Sequence, residues 1–115
     1  MWICTNQGFI SVVEHRANAN LVCVRARRAS DLIAFTGSEL IEQTDKADYR
    51  FRCVTTKENL KSLLMAQVNR IDYDNFKNSV PVEDDDLSHF YGEVWSSGIN
   101  NLDPDWIDRR DYLKR

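Results

Sequence analysis

Leu21-Val22-Cys23-Val24-Arg25-Ala26-Arg27 and Tyr49-Arg50-Phe51-Arg52-Cys53-Val54 decide how this chain is read. Both stretches are short, rich in β-branched or aromatic residues, and alternating, so each is expected to be a strand. Successive side chains point to opposite faces of a strand. Val22, Val24 and Ala26 therefore form one set in the first stretch, and Cys23, Arg25 and Arg27 the other. In the second, Tyr49, Phe51 and Cys53 oppose Arg50 and Arg52.

Working outward, Phe9-Ile10-Ser11-Val12-Val13 is a second β-branched run, expected to form an antiparallel hairpin with Leu21–Arg27. A shorter apolar run, Trp2-Ile3-Cys4, precedes it across Asn6-Gln7-Gly8, a turn composition. Ser30 is placed to cap a helix over Asp31–Thr36, with Gly37 as its stop. Glu39–Gln43 reads as a further strand, joined to Tyr49–Val54 by the polar connection Thr44–Asp48. Thr55 and Glu58 have the spacing of a capping box, and Leu60, Leu63, Leu64, Val68 and Ile71 then recur as one helical stripe. After an irregular connector, the carboxylates of Asp84, Asp85 and Asp86 favour the positive start of a last helix. Its stripe is Leu87, Phe90, Tyr91, Val94 and Trp95. Asp103-Pro104-Asp105 has the form of a start signal for a short terminal helix bearing Trp106 and Ile107; otherwise the end is a tail.

This order predicts an α+β fold: a four-stranded antiparallel or mixed sheet of permuted ferredoxin-like type (ββαββα). Residues 1–102 would form a single domain, with 103–115 as a short terminal helix or tail. A right-handed crossover through the first helix would set Leu21–Arg27 and Tyr49–Val54 side by side and parallel, with two helices covering one face. Arg25, Arg27, Arg50 and Arg52 would then converge on the opposite face, because adjacent strands lie only about 4.8 Å apart.

Four guanidinium groups in one patch repel one another unless something neutralises them. Internal carboxylates are one source: Glu14, Glu39, Glu42, or the acidic region beyond Asp72, whose helix would lie over the patch as a lid. Residues 1–71 carry ten Lys and Arg against seven Asp and Glu, whereas residues 72–105 hold Lys77 alone against nine acids. An anionic ligand is a second source, since guanidinium forks bind phosphate bidentately and a sheet face is how RNA-recognition modules meet bases. Against it, the expected aromatics point to the helix side, no glycine-rich phosphate loop is present, and the net charge is -3. The third source is an acidic or mixed surface on a protein partner.

The composition excludes other classes. The 115 residues are 43% hydrophobic, enough for a core, with only four Gly and two Pro, too few for a low-complexity chain. No apolar run approaches the ~18 residues of a membrane span. The start lacks the basic-then-apolar run of a secretory signal, so a cytoplasmic protein is expected. Cys4, Cys23 and Cys53 are odd in number, far apart and set in apolar stretches, which predicts inert packed thiols and no zinc site. His15 and His89 stand in no catalytic motif, and no acid/base pair can be assigned. Glu83-Asp84-Asp85-Asp86 lacks the convergent spacing of metal ligands. The expectation is therefore no enzyme, no catalytic residue, no metal and no cofactor.

Residues 2–13, Val24-Arg25-Ala26-Arg27, Ala47-Asp48-Tyr49-Arg50-Phe51-Arg52, Ile71-Asp72-Tyr73-Asp74-Asn75-Phe76-Lys77 and the Tyr91…Trp95 stretch together resemble a family of small, stand-alone bacterial proteins. The resemblance spans roughly residues 1–96, departs over Pro81–Asp86, and carries no catalytic assignment. Small autonomous acidic chains of this kind include regulators and inhibitors of larger complexes, phage-encoded defence inhibitors among them. The functional expectation is a non-enzymatic protein-binding regulator or inhibitor. Trp95, Trp106 and Tyr112 are further candidates for docking a partner or a second copy, and phosphate or nucleic-acid binding through the arginine face is the alternative.

Overall fold

A computed structural model describes residues 1–38, 41–106 and 108–109. They fall into two compact units, Met1–Phe76 and Lys77–Arg115.

The first unit is a sheet of five strands with two helices. Its strands are β1 (Trp2–Thr5), β2 (Gly8–Glu14), β3 (Leu21–Ala26), β4 (Glu42–Gln43) and β5 (Phe51–Thr56). Their order is β1-β2-β3-β5-β4, and every neighbouring pair is antiparallel. The expected four-stranded sheet is thus corrected to five, because Trp2-Ile3-Cys4-Thr5 folds back on β2 through the two residues Asn6-Gln7. Thr5 stabilises that turn: its Oγ1 accepts from the Gly8 amide at 3.1 Å and from Gln7 at 3.2 Å.

β3 and β5 are adjacent, as expected, but antiparallel. The reason is directional: the helix-bearing crossover from β3 leads to β4, which runs the same way as β3. The chain then reverses through residues 44–50 and enters β5 between the two. Glu39, included in the expected fourth strand, lies outside the described residues.

α1 (Ala29–Thr36) and α2 (Lys57–Asn69) pack on one face of the sheet. Ile10, Val12, Val22, Val24 and Ala26 from the sheet meet Leu32, Phe35 and Leu60 from the helices in one buried cluster. The apolar set of β3 faces this core, as alternation requires. Gly37 ends α1 with φ 68°, a left-handed conformation that costs glycine little, and its amide bonds the Ile33 carbonyl at 2.8 Å.

The helix starts differ from expectation. Arg28, not Ser30, occupies the cap position of α1, with no side-chain cap bond. Asp31 stands in the first turn instead, and its buried carboxylate accepts from the Phe9 amide at 3.1 Å and from Arg28 Nε at 2.8 Å. α2 is capped by Thr56, one residue beyond the expected Thr55, and its Oγ1 accepts from the Asn59 amide at 3.0 Å. Thr55 Oγ1 accepts instead from the Asn59 side-chain amide at 2.8 Å, and Glu58 pairs with Lys61 rather than closing a box. Thr56→Ala should therefore cost about 1 kcal/mol in a urea titration, and Thr55→Ala clearly less. In α2 only Leu60 is buried; Val68 and Ile71 of the expected stripe are 63% and 59% exposed.

In the second unit, a single 3₁₀ turn (Lys77–Ser79) precedes α3 (Asp85–Leu102). Asp84 caps α3 by accepting from the Leu87 amide at 3.2 Å, matching the expected start. Leu87 and Tyr91 are buried, whereas Val94 and Trp95 of the expected stripe are 46% and 50% exposed. Beyond it, Arg109 pairs with Asp103 and donates its amide to the Asp105 carbonyl, a helical turn after Pro104. Ile107 and Tyr112 lie outside the described residues. No described helix is long and apolar enough to cross a membrane.

Candidate binding face

The second face of the sheet, turned away from α1 and α2, carries the other alternation set. Register places Trp2 opposite Ser11, Cys4 opposite Phe9, Ser11 opposite Arg25, and Arg25 opposite Arg52. Bonded and non-bonded pairs alternate along an antiparallel ladder, and the His15–Leu21 bond fixes the phase on β3. Arg25 and Arg52 are thereby a non-hydrogen-bonded pair, the kind whose Cα atoms lie closest, about 4.5 Å apart.

Tyr49 organises this face. Continuing the alternation of β5 back to Tyr49 would have turned it to the helices with Phe51 and Cys53. The strand, however, starts only at Phe51, and the Tyr49 amide bonds the Asp48 carboxylate at 3.0 Å, outside any ladder. The Tyr49 ring is 4% exposed and lies under two guanidinium groups, with Arg25 Cζ at 4.6 Å and Arg27 Cζ at 4.2 Å from its centroid. Arg52 Nε donates to the Tyr49 carbonyl at 3.4 Å. Three of the four expected arginines thus gather on one residue.

Arg50 does not join them. Its guanidinium stands 5.3 Å from the Phe51 ring and 3.9 Å from the Asp45 carboxylate, at the β4–β5 end.

Of the internal carboxylates expected to neutralise this cluster, Glu39 lies outside the described residues. Among the described residues 1–76, no carboxylate pairs with Arg25, Arg27 or Arg52. Glu42 sits opposite Arg52 in the ladder without an ion pair, and both line a cleft of about 420 Å³. Among the described residues 1–76, ring faces and neutral acceptors hold these guanidinium groups. Arg25 Nη2 donates to the buried Ser11 Oγ at 2.8 Å, and Arg27 also leans over Phe9, 6.0 Å from its centroid. Phe9 in turn meets Trp2 edge-on at 6.0 Å. A cation on an aromatic face is held without cancelling its charge, so its N–H edge stays available for an anion.

Trp95 packs its ring under Lys77 Nζ at 5.3 Å, Trp106 is half-buried, and Tyr112 is not described. Among the described residues, no group of His, Cys, Asp or Glu is placed to hold a metal ion. Burial raises the Cys4 thiol pKa, and burial followed by the neighbouring Cys23 raises that of Cys53. A raised thiol pKa leaves less thiolate at neutral pH. Alkylation of both at pH 7.5 should run several-fold slower in the folded than in the urea-unfolded chain, and the gap should narrow above pH ~10. Fast labelling of the folded protein would contradict this.

Sequence reading missed Tyr49, Phe9 and Trp2 as parts of the face. Asp48 was the available signal: an acidic residue directly before an aromatic closes a turn on its own backbone and breaks the alternation. Comparison with protein-family models, with curated proteins and with solved structures finds no match.

Proposed function

We propose that this chain is a small, non-enzymatic protein-binding regulator or inhibitor that meets an acidic surface of its partner through Arg25, Arg27 and Arg52. One observation carries the reading: these guanidinium groups are seated on Tyr49, and among the described residues 1–76 no carboxylate pairs with them. Arginine stacked on an aromatic loses little further freedom on binding, which favours it at protein interfaces. The strand order and the β3–α1–β4 crossover with β5 inserted support a permuted ferredoxin-like scaffold with β1 added at its edge. The resemblance to small stand-alone bacterial proteins fits a self-contained module of this type.

A phosphate- or nucleic-acid-binding role is the second reading. It is favoured by Trp2, Phe9 and Tyr49 standing beside the arginines, an arrangement suited to stacking bases. Fluorescence anisotropy with two labelled probes at low salt separates the readings. Tighter binding of polyglutamate than of oligothymidylate supports the acidic protein partner, and the reverse order selects nucleic acid. Absence of binding to either at millimolar concentration contradicts both.

A further inference from the structure

β1 is a sheet edge with one side of its backbone unused. The Met1 and Val12 backbones exchange bonds at 2.8 Å, so Ile3 and Thr5 also point their amides and carbonyls toward β2. The N–H and C=O groups of Trp2 and Cys4 point the other way, and among the described residues no strand pairs with β1 on that side. Natural edges are blunted by charge, proline, bulges or brevity. The opposite edge, β4, has two residues and a glutamate. β1 has four residues, Trp-Ile-Cys-Thr, with no charged side chain and with Trp2 75% exposed.

We propose that the free edge of β1 is a strand-addition site that takes an extended, acidic segment of the partner protein. This rests on the acidic-partner reading above and names the form in which the partner presents its charge. A strand laid against β1 would bond the Trp2 and Cys4 backbones, and every second side chain of it would fall on the face that carries the arginines. Trp2 offers an exposed ring to the side chain beside it. Arg27 is exposed and stands over Phe9 of β2, about 10 Å or two strand spacings from an added strand. Its charge attracts the carboxylates there through solvent at about one Debye length. Charge complementarity thus selects an acidic segment over a neutral or basic one.

The probe is an acetylated, amidated peptide of four Glu-Val repeats, with a Lys-Val peptide as its control. On saturation with the Glu-Val peptide, hydrogen exchange followed by NMR should slow at the Trp2 and Cys4 amides. Cys4→Pro removes an outward N–H without taking a bond from the β1–β2 ladder, a placement proline tolerates at an edge. It should weaken the peptide about tenfold, the loss expected from one interfacial hydrogen bond and its register. Cys4→Val, which keeps the N–H, should bind as the native protein does. If Cys4→Pro fails to fold, protection at Trp2 and Cys4 in the native protein decides alone.

Unprotected Trp2 and Cys4 amides at saturation, or full binding to folded Cys4→Pro, overturn the edge site. Equal binding of the Lys-Val peptide does so as well. Protection that grows with protein concentration without peptide also overturns it, in favour of a second copy. Arginine-dependent binding of polyglutamate would survive each of these results, so the failure of the edge site stays distinct from failure of the acidic-partner reading.

Discussion

Gly8→Ala is expected to destabilise the fold by about 3–4 kcal/mol, a large share of the ~5–15 kcal/mol typical of a domain. A Cβ at position 8 would stand 2.5 Å from Asp31 Cβ and Cγ and 2.8 Å from Asp31 Cα. The last is backbone, so a rotamer change cannot relieve the contact and α1 itself must move. Asp31 ties α1 to the start of β2 by a hydrogen bond. In the ladder, Phe9 occupies a position that would bond β3, but β3 ends at Ala26, and the Asp31 carboxylate supplies the missing acceptor. Displacing it breaks the bonds that the Phe9 amide and the Arg28 guanidinium make to this carboxylate. Asp31→Ala should cost about 2–4 kcal/mol for the same reason, and Asp31→Asn, which retains an acceptor for Phe9, roughly half as much. Chemical denaturation read by far-UV circular dichroism measures all three. A Gly8→Ala protein as stable as the native one would show that α1 is not held this close to the turn.

Tyr49 should show the opposite outcomes for two conservative replacements. Tyr49→Phe keeps the ring under Arg25 and Arg27, and among the described residues the Tyr49 hydroxyl makes no hydrogen bond to the arginines, so stability should change by less than about 0.5 kcal/mol. Tyr49→Leu removes the ring face. Two partly desolvated cation–π contacts are then lost, about 1 kcal/mol each, together with the shape mismatch of a smaller aliphatic group in a site that is 4% exposed. A loss of about 2–4 kcal/mol is expected, and it should grow at low salt, where the unseated guanidinium groups repel more strongly. Equal stabilities for the two variants would mean that the ring only fills space.

Much of the scaffold was legible because local signals and tertiary packing agree there. The β-branched runs at Gly8–Glu14 and Leu21–Ala26 are strands, Gly37 stops α1, and Asp84 starts α3. The arginine alternation of β3 and β5 was also readable, since one buried face forces the other set outward. What escaped reading depends on chain direction or on single residues at element ends. Nothing local distinguishes a parallel from an antiparallel β3–β5 pair; that follows from where the return strand inserts. Thr55 and Thr56 are equivalent as sequence; both belong to β5, and only Thr56, its last residue, stands directly before α2 where a hydroxyl reaches the Asn59 amide. Trp2-Ile3-Cys4 is too short to signal a strand alone, and it becomes one only because β2 offers a ladder. Tyr49 was misplaced because alternation was carried two residues past the point where β5 begins.

The most direct test of the account is the salt dependence of polyglutamate binding to the native protein and to Arg27→Gln and Arg25→Gln/Arg52→Gln variants of confirmed fold. For the native protein, log affinity should fall linearly with log salt, and each arginine replaced should flatten that slope by about one. A slope unchanged in the folded variants would place the charge that binds the partner somewhere other than on Tyr49's arginines.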